Sequence, residues 1–224
     1  MKILIKNFLK KYFPIVFSRL RQFYYENKIL PREFMMHVKK LSSSSLVIDV
    51  GANVGMVSEV LARRGARVIA FEPNPIAFEK LRGVAKRYRN IELRNEATGI
   101  KNQQIKLFLH KDAHTTDEDL TQASSLLSDK LNVSADNFEL VNEIDFAKFL
   151  KLLDEPVELI KMDIEGYEIQ LLNHLLDENA ISNVNRFYIE THEQKFDDLT
   201  IPTENLKTRI IKEGYENKFF FDWH

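Results

Sequence analysis

The 224 residues are 44 % apolar and 29 % charged with no cysteine, an ordinary folded-domain composition that excludes a disulfide framework and a thiolate zinc site. The net charge of −1 hides two unlike parts: residues 1–40 hold ten Lys/Arg against two acids, Glu26 and Glu33, and the remainder holds 22 against 31. An acidic main body disfavours a nucleic-acid substrate, which needs a basic groove, and the lack of cysteine suits a reducing, cytoplasmic setting.

The basic leader comes first. Its apolar runs, such as "YFPIVF", fall far short of the roughly 20 residues of a spanning helix, and Lys10 and Lys11 interrupt them. No small-residue cleavage site follows a continuous apolar stretch, so a secretory signal is not expected either. Residues 1–40 read as a basic helical segment. It either packs over the main domain with its lysines in water or lies on an anionic membrane face or an acidic partner.

A main domain is expected over 41–224, with "SSSS" at 42–45 as a linker. "LVIDV" (46–50) is a buried-strand run. Val57, Val60 and Leu61 then follow at helical spacing, with Arg63 and Arg64 in the last turn and Gly65 past the end. "RVIAF" (67–71) is the second strand, after which Asn74 and Pro75 supply a cap and a first-turn proline. "IEL" (91–93) starts a third strand, and "IKLFL" (105–109) alternates like a half-exposed additional one. Residues 111–135 read as a long polar loop. "VELIKMDI" (157–164), "RFYIE" (186–190) and "NKFFFDW" (217–223) complete the strands, with helices after the first and before the last of these. This alternation predicts a mostly parallel sheet with helices on both faces.

In such sheets ligands bind beyond the carboxyl ends of the strands, where the strand order reverses. Those ends carry Asp49, Glu72, Asn95 with Glu96, Asp163 and Glu190. The nicotinamide fingerprint fails here, because its second and third glycines fall on Asn53 and Met56. The pattern that fits is Asp49, Gly51, Asn53, Gly55. An aspartate facing the turn repels pyrophosphate and suits a cationic ligand. S-adenosylmethionine meets these requirements, with Gly51 admitting its amino-acid part and Gly55 letting the next helix start close to the strand. Glu72, 23 residues after Asp49, stands where a carboxylate would take both ribose hydroxyls.

"VIDVGANVG", "AFEPNP", "ASSL" (123–126), "LIKMDIEGYEIQLL" (159–172) and "IETH" (189–192) together resemble the FkbM family of S-adenosylmethionine-dependent methyltransferases. The resemblance implies a Rossmann-like class I methyltransferase fold and methyl transfer to a hydroxyl oxygen, often of a sugar or polyketide. By position, Asp49, Gly51, Asn53, Gly55 and Glu72 then look like cofactor ligands. The helix after "DIEGYE" departs from the family's pattern, with Asn173 where glycine is common.

An alcohol gains from a general base within hydrogen-bond reach. Asp163, Glu165, Glu190 and His192 should converge there, because the strands ending near 163 and 190 are expected beside the first strand. His192 is the base candidate, with an ordinary pKa near neutrality. Glu165 has the alternative of capping the following helix, and Lys161 either pairs with an acid or reaches the acceptor. No metal is expected, although Asp163, Glu190 and His192 are an oxygen/nitrogen set that could bind one; the i, i+4 pair His110 and His114 lacks a helix to align it. The expected activity is O-methylation of a small-molecule or glycan hydroxyl, on a saccharide or glycolipid precursor. The rivals are a non-catalytic cofactor-binding module that docks through its basic leader, and a nicotinamide oxidoreductase.

Overall fold

The computed structural model describes residues 11–110, 133–193, 197–221 and 223. The chain divides into two units, Met1–Lys40 and Leu41–His224. In the first, α1 (Pro14–Tyr24) runs on through one π-helical turn, Tyr25–Ile29, before α2 (Arg32–Val38). Pro14 costs α1 nothing, since the N–H it lacks would have no partner in a first turn. Pro31 ends the π-turn: Leu30 before it is held extended, at ψ 139°.

The second unit is built on six strands: β1 (Leu46–Val50), β2 (Arg67–Phe71), β3 (Ile91–Arg94), β7 (Val157–Met162), β8 (Phe187–Ile189) and β9 (Phe219–Phe220). They pair in the order β3-β2-β1-β7-β8-β9, and every pairing is parallel. The order reverses between β1 and β7, and in sheets of this kind the ligand crevice lies beyond the ends of the two strands at such a reversal. All five residues of β1 are buried, as a central strand covered on both faces requires. The connections between these strands carry α3 (Met56–Arg63), α4 (Pro75–Ala85), α5 (Phe146–Lys151), α6 (Glu168–Asp177) and α7 (Thr200–Lys212). One core cluster joins Ile48, Val50, Ile160, Met162 and Phe187 to Phe146, Leu172, Leu175 and Leu206.

A second, three-stranded sheet has the order β4-β6-β5, made of β4 (Ala97–Gly99), β5 (Gln103–His110) and β6 (Val133–Asp145). The expected strand 105–109 therefore belongs here, antiparallel to β6, and not to the main sheet. The expected loop 111–135 is cut short by β6 at Val133, and residues 111–132, with "ASSL" and His114, lie outside the described residues. The final strand shrinks to Phe219–Phe220, preceded by a 3₁₀ turn at Glu216–Lys218. The expected linker "SSSS" forms a hydrogen-bonded turn: the Ser45 amide donates to Ser42 O at 3.0 Å and the Ser42 amide to Ser45 Oγ at 3.1 Å.

Candidate functional site

The turn after β1 passes through left-handed backbone at Gly51 (φ 73°), Asn53 (φ 48°) and Gly55 (φ 85°). Asparagine tolerates that region better than most side chains, so Asn53 is a compatible residue at its position. A Cβ on Gly51 would lie 1.8 Å from the Asp163 carbonyl oxygen, and one on Gly55 would lie 2.7 Å from Leu81 of α4. The two glycines thus admit the β7 end and the neighbouring helix α4, where the sequence suggested a ligand and the preceding strand. The turn's amides are committed inside the protein. Gly51 and Ala52 donate to Phe71 O at 3.1 and 2.9 Å, Gly55 donates to Ala52 O at 2.9 Å, and Asn53 donates to Glu72 Oε2 at 2.7 Å. A pyrophosphate, which binds through such amides, finds these four already occupied.

Asp49 is fully buried beneath this turn. Ser58 Oγ donates to its Oδ2 at 2.6 Å, and Lys161 Nζ stands 3.4 Å from Oδ1, which accepts no hydrogen bond. Lys161 donates to the Gly51 carbonyl at 2.7 Å and lies 3.6 Å from Asp163 Oδ2. The lysine left open by the sequence is therefore a buried counter-charge between two strand ends. Asp49, read from the sequence as facing the turn, has no solvent exposure.

Glu72 ends β2 and is 7 % exposed. Besides the Asn53 amide it accepts the Asn74 amide on Oε1 at 2.8 Å. Burial pushes its carboxyl up to about 7, against the opposing pull of those two amides and of Lys161. Asn95 holds the same loop, donating to the backbone oxygens of Glu72 at 2.8 Å and Pro73 at 3.2 Å. Asn95 thus engages the loop backbone through its side chain, and Glu96 is half-buried beside it.

At the ends of β7 and β8 the side chain of His192 is wholly enclosed. Its Nε2 faces Glu165 Oε2 at 3.6 Å, Asp163 Oδ1 at 3.7 Å and Glu190 Oε1 at 3.8 Å. On its other side Nδ1 lies 3.2 Å from Glu168 Oε1, an ion-pair distance although off the line of a good hydrogen bond. Burial opposes a charge on the ring, but Glu168 and the carboxylates around it outweigh that and raise its pKa above the ordinary value. Glu168 is 1 % exposed and also takes the amides of Ile164 at 2.7 Å and Gly166 at 2.9 Å. Glu168 caps this turn, and Glu165, in left-handed backbone at φ 58°, faces the imidazole.

The expected convergence of Asp163, Glu165, Glu190 and His192 is therefore present, and the parallel pairing of β7 with β8 creates it. Glu168 was missed: in the sequence it is one more acid in a helix's first turn, and only the fold brings it against His192. Donor atoms of Asp163, Glu165 and His192 lie within 4.8 Å of one another, close enough to hold a cation. Glu165 takes the place given to Glu190 in the sequence-based metal set.

A model of the methyltransferase FkbM domain matches residues 49–216, three quarters of the chain. The chain belongs to the FkbM methyltransferase family. Among its relatives, the 31-O-demethyl-FK506 methyltransferase FkbM of Streptomyces tacrolimicus is 40 % identical over 70 residues, covering 30 % of this chain and 27 % of that protein. The ribosomal RNA small subunit methyltransferase A of Thermotoga petrophila is 33 % identical over 90 residues, 40 % of this chain and 34 % of its own length. The chain thus spans about a third or less of these relatives. An rRNA methylase structure from Streptococcus thermophilus is similar at a TM-score of 0.44 and 13 % identity, covering 80 % of this chain and 82 % of that one.

The family implies S-adenosylmethionine, and the FkbM-type turn fits it on its donor set. Glu72, Asp163 and Glu190 stand near the strand ends, with the buried Asp49–Lys161 pair beneath them. Such a surplus of acceptors suits a sulfonium, an α-ammonium and a ribose diol.

Proposed function

We propose that this FkbM-family chain is an S-adenosylmethionine-dependent O-methyltransferase acting on a hydroxyl of a saccharide or glycolipid precursor. The observation that supports it most is the enclosed His192 fronted by Asp163, Glu165 and Glu190 beside the Gly51–Gly55 turn. S-adenosylmethionine, held by the turn residues Gly51, Asn53 and Gly55 with Glu72, would supply the methyl carbon for the acceptor oxygen, its sulfur keeping the electron pair as leaving group. The chain's own residues position both partners and take the hydroxyl proton.

On this reading Asp49, Gly51, Asn53, Gly55, Glu72, Asn95, Glu96 and Asp163 make the cofactor's side. Glu72 keeps lone pairs for the ribose hydroxyls beside its two amide contacts. Asp49 acts from behind the turn, through charge. The acceptor meets Asp163, Glu165 and Glu190 first, and its proton passes through them to Nε2 of His192, which Glu168 positions. The name of the Streptomyces relative, an O-demethyl substrate's methyltransferase, favours a hydroxyl acceptor. The ribosomal names of the Thermotoga relatives favour RNA, and the acid excess of residues 41–224 weighs against that.

Calorimetry tests the reading first: binding of S-adenosylmethionine is expected, and none at near-millimolar protein overturns it. Glu72→Ala and Asp49→Ala abolish that binding. His192→Ala spares it and slows methyl transfer roughly a hundredfold or more, followed as a one-methyl mass gain on a glycan acceptor. Binding without transfer to any acceptor would leave the chain a cofactor-binding module.

A further inference from the structure

We infer that α1 docks flat on an anionic lipid surface. Phe13, Val16, Leu20, Phe23 and Tyr24 are 48–69 % exposed along this helix. At about 100° per residue they fall within one arc roughly 100° wide. Arg19 and Arg21, both exposed, stand on opposite margins of that arc. Gln22 is buried, on the side away from the stripe. An apolar face with an arginine along each edge is the geometry of a helix lying in a membrane interface, its rings and aliphatic groups among the acyl chains and its guanidiniums reaching up to phosphates.

Charge selects the kind of surface. Residues 1–25 hold six Lys/Arg and no acid, so a bilayer rich in anionic headgroups attracts this end and a zwitterionic one does not. Paired aromatics at both ends of the stripe, Tyr12 with Phe13 and Phe23 with Tyr24, match the preference of such rings for the headgroup boundary. No helix among the described residues is long and apolar enough to cross a membrane, so α1 lies on the surface. The inference is independent of the methyl-transfer reading.

Flotation of the full chain with vesicles tests it. Binding to vesicles of phosphatidylcholine with about one third phosphatidylglycerol is expected, weakening as salt rises, with little binding to phosphatidylcholine alone. Leu20→Glu with Phe23→Glu lowers the bound fraction's affinity roughly tenfold or more. Arg19→Glu with Arg21→Glu does the same for the anionic vesicles only. Circular dichroism confirms that each variant is folded. Binding to neither vesicle, or equal binding by the Leu20/Phe23 variant, overturns the inference. So does a wild-type dimer in gel filtration that this variant converts to monomer without any lipid effect, which assigns the stripe to a second copy.

Discussion

Lys161 and Glu72 show what single side chains do under this turn. Lys161 is the cation beside the fully buried Asp49, whose Oδ1 accepts no hydrogen bond. Lys161→Met leaves that carboxylate uncompensated and is expected to lower stability by about 3 kcal/mol in urea unfolding, part of it recovered when Asp49→Asn is added. Glu72 gives a pH signature. Its carboxyl ionises near its ordinary value of 4.5 when unfolded and at about 7 when folded. Between those values the folded chain holds a proton that the unfolded chain has lost, so this residue's contribution to stability falls as pH rises from 4.5 to 7 and is flat on either side. Glu72→Gln removes a slope worth about 3 kcal/mol over that window, read from unfolding curves of wild type and variant at each pH.

At the scale of elements, the site exists because β1 and β7 pair in parallel and end level with each other. Gly51 is where they meet: a methyl group there would overlap the Asp163 carbonyl, and the backbone is left-handed as well. Gly51→Ala is expected to cost roughly 3 kcal/mol or more and to abolish cofactor binding, by thermal unfolding and calorimetry. Much of this was legible beforehand, because Asp49, Gly51 and Glu72 sit where hydrophobic runs stop, and runs that stop in acids mark strand ends. The second sheet was not: β6, "VSADNFELVNEID", lacks the apolar alternation that announces a strand, and its partners lie 23 to 46 residues earlier, from His110↔Val133 to Ala97↔Glu143. Glu168 was equally hidden, since its distinction is burial against His192, 24 residues later, and burial of an acid has no local signature.

For the whole molecule, the division of charge is the property with most consequence. The first unit is basic and the second acidic, so on the two proposals above the first would face anionic lipid and the second a cationic methyl donor. If the acceptor is a glycan hydroxyl, incubation with S-adenosylmethionine methylates members of a saccharide and glycolipid panel and leaves ribosomal RNA unmodified, by mass spectrometry of both. Transfer to RNA alone would reverse the assignment of the acceptor.

Lys161 joins the two sides of the crevice. Its ammonium donates to the carbonyl of Gly51 in the glycine turn and stands 3.6 Å from Asp163 in the cluster around His192. A charge added on either side acts on the same ammonium. A methyl donor bound at the glycine turn, as proposed, would then be a heterotropic partner of the cluster's proton: whatever factor the donor imposed on the cluster's proton affinity, protonation would impose on the donor's affinity in return.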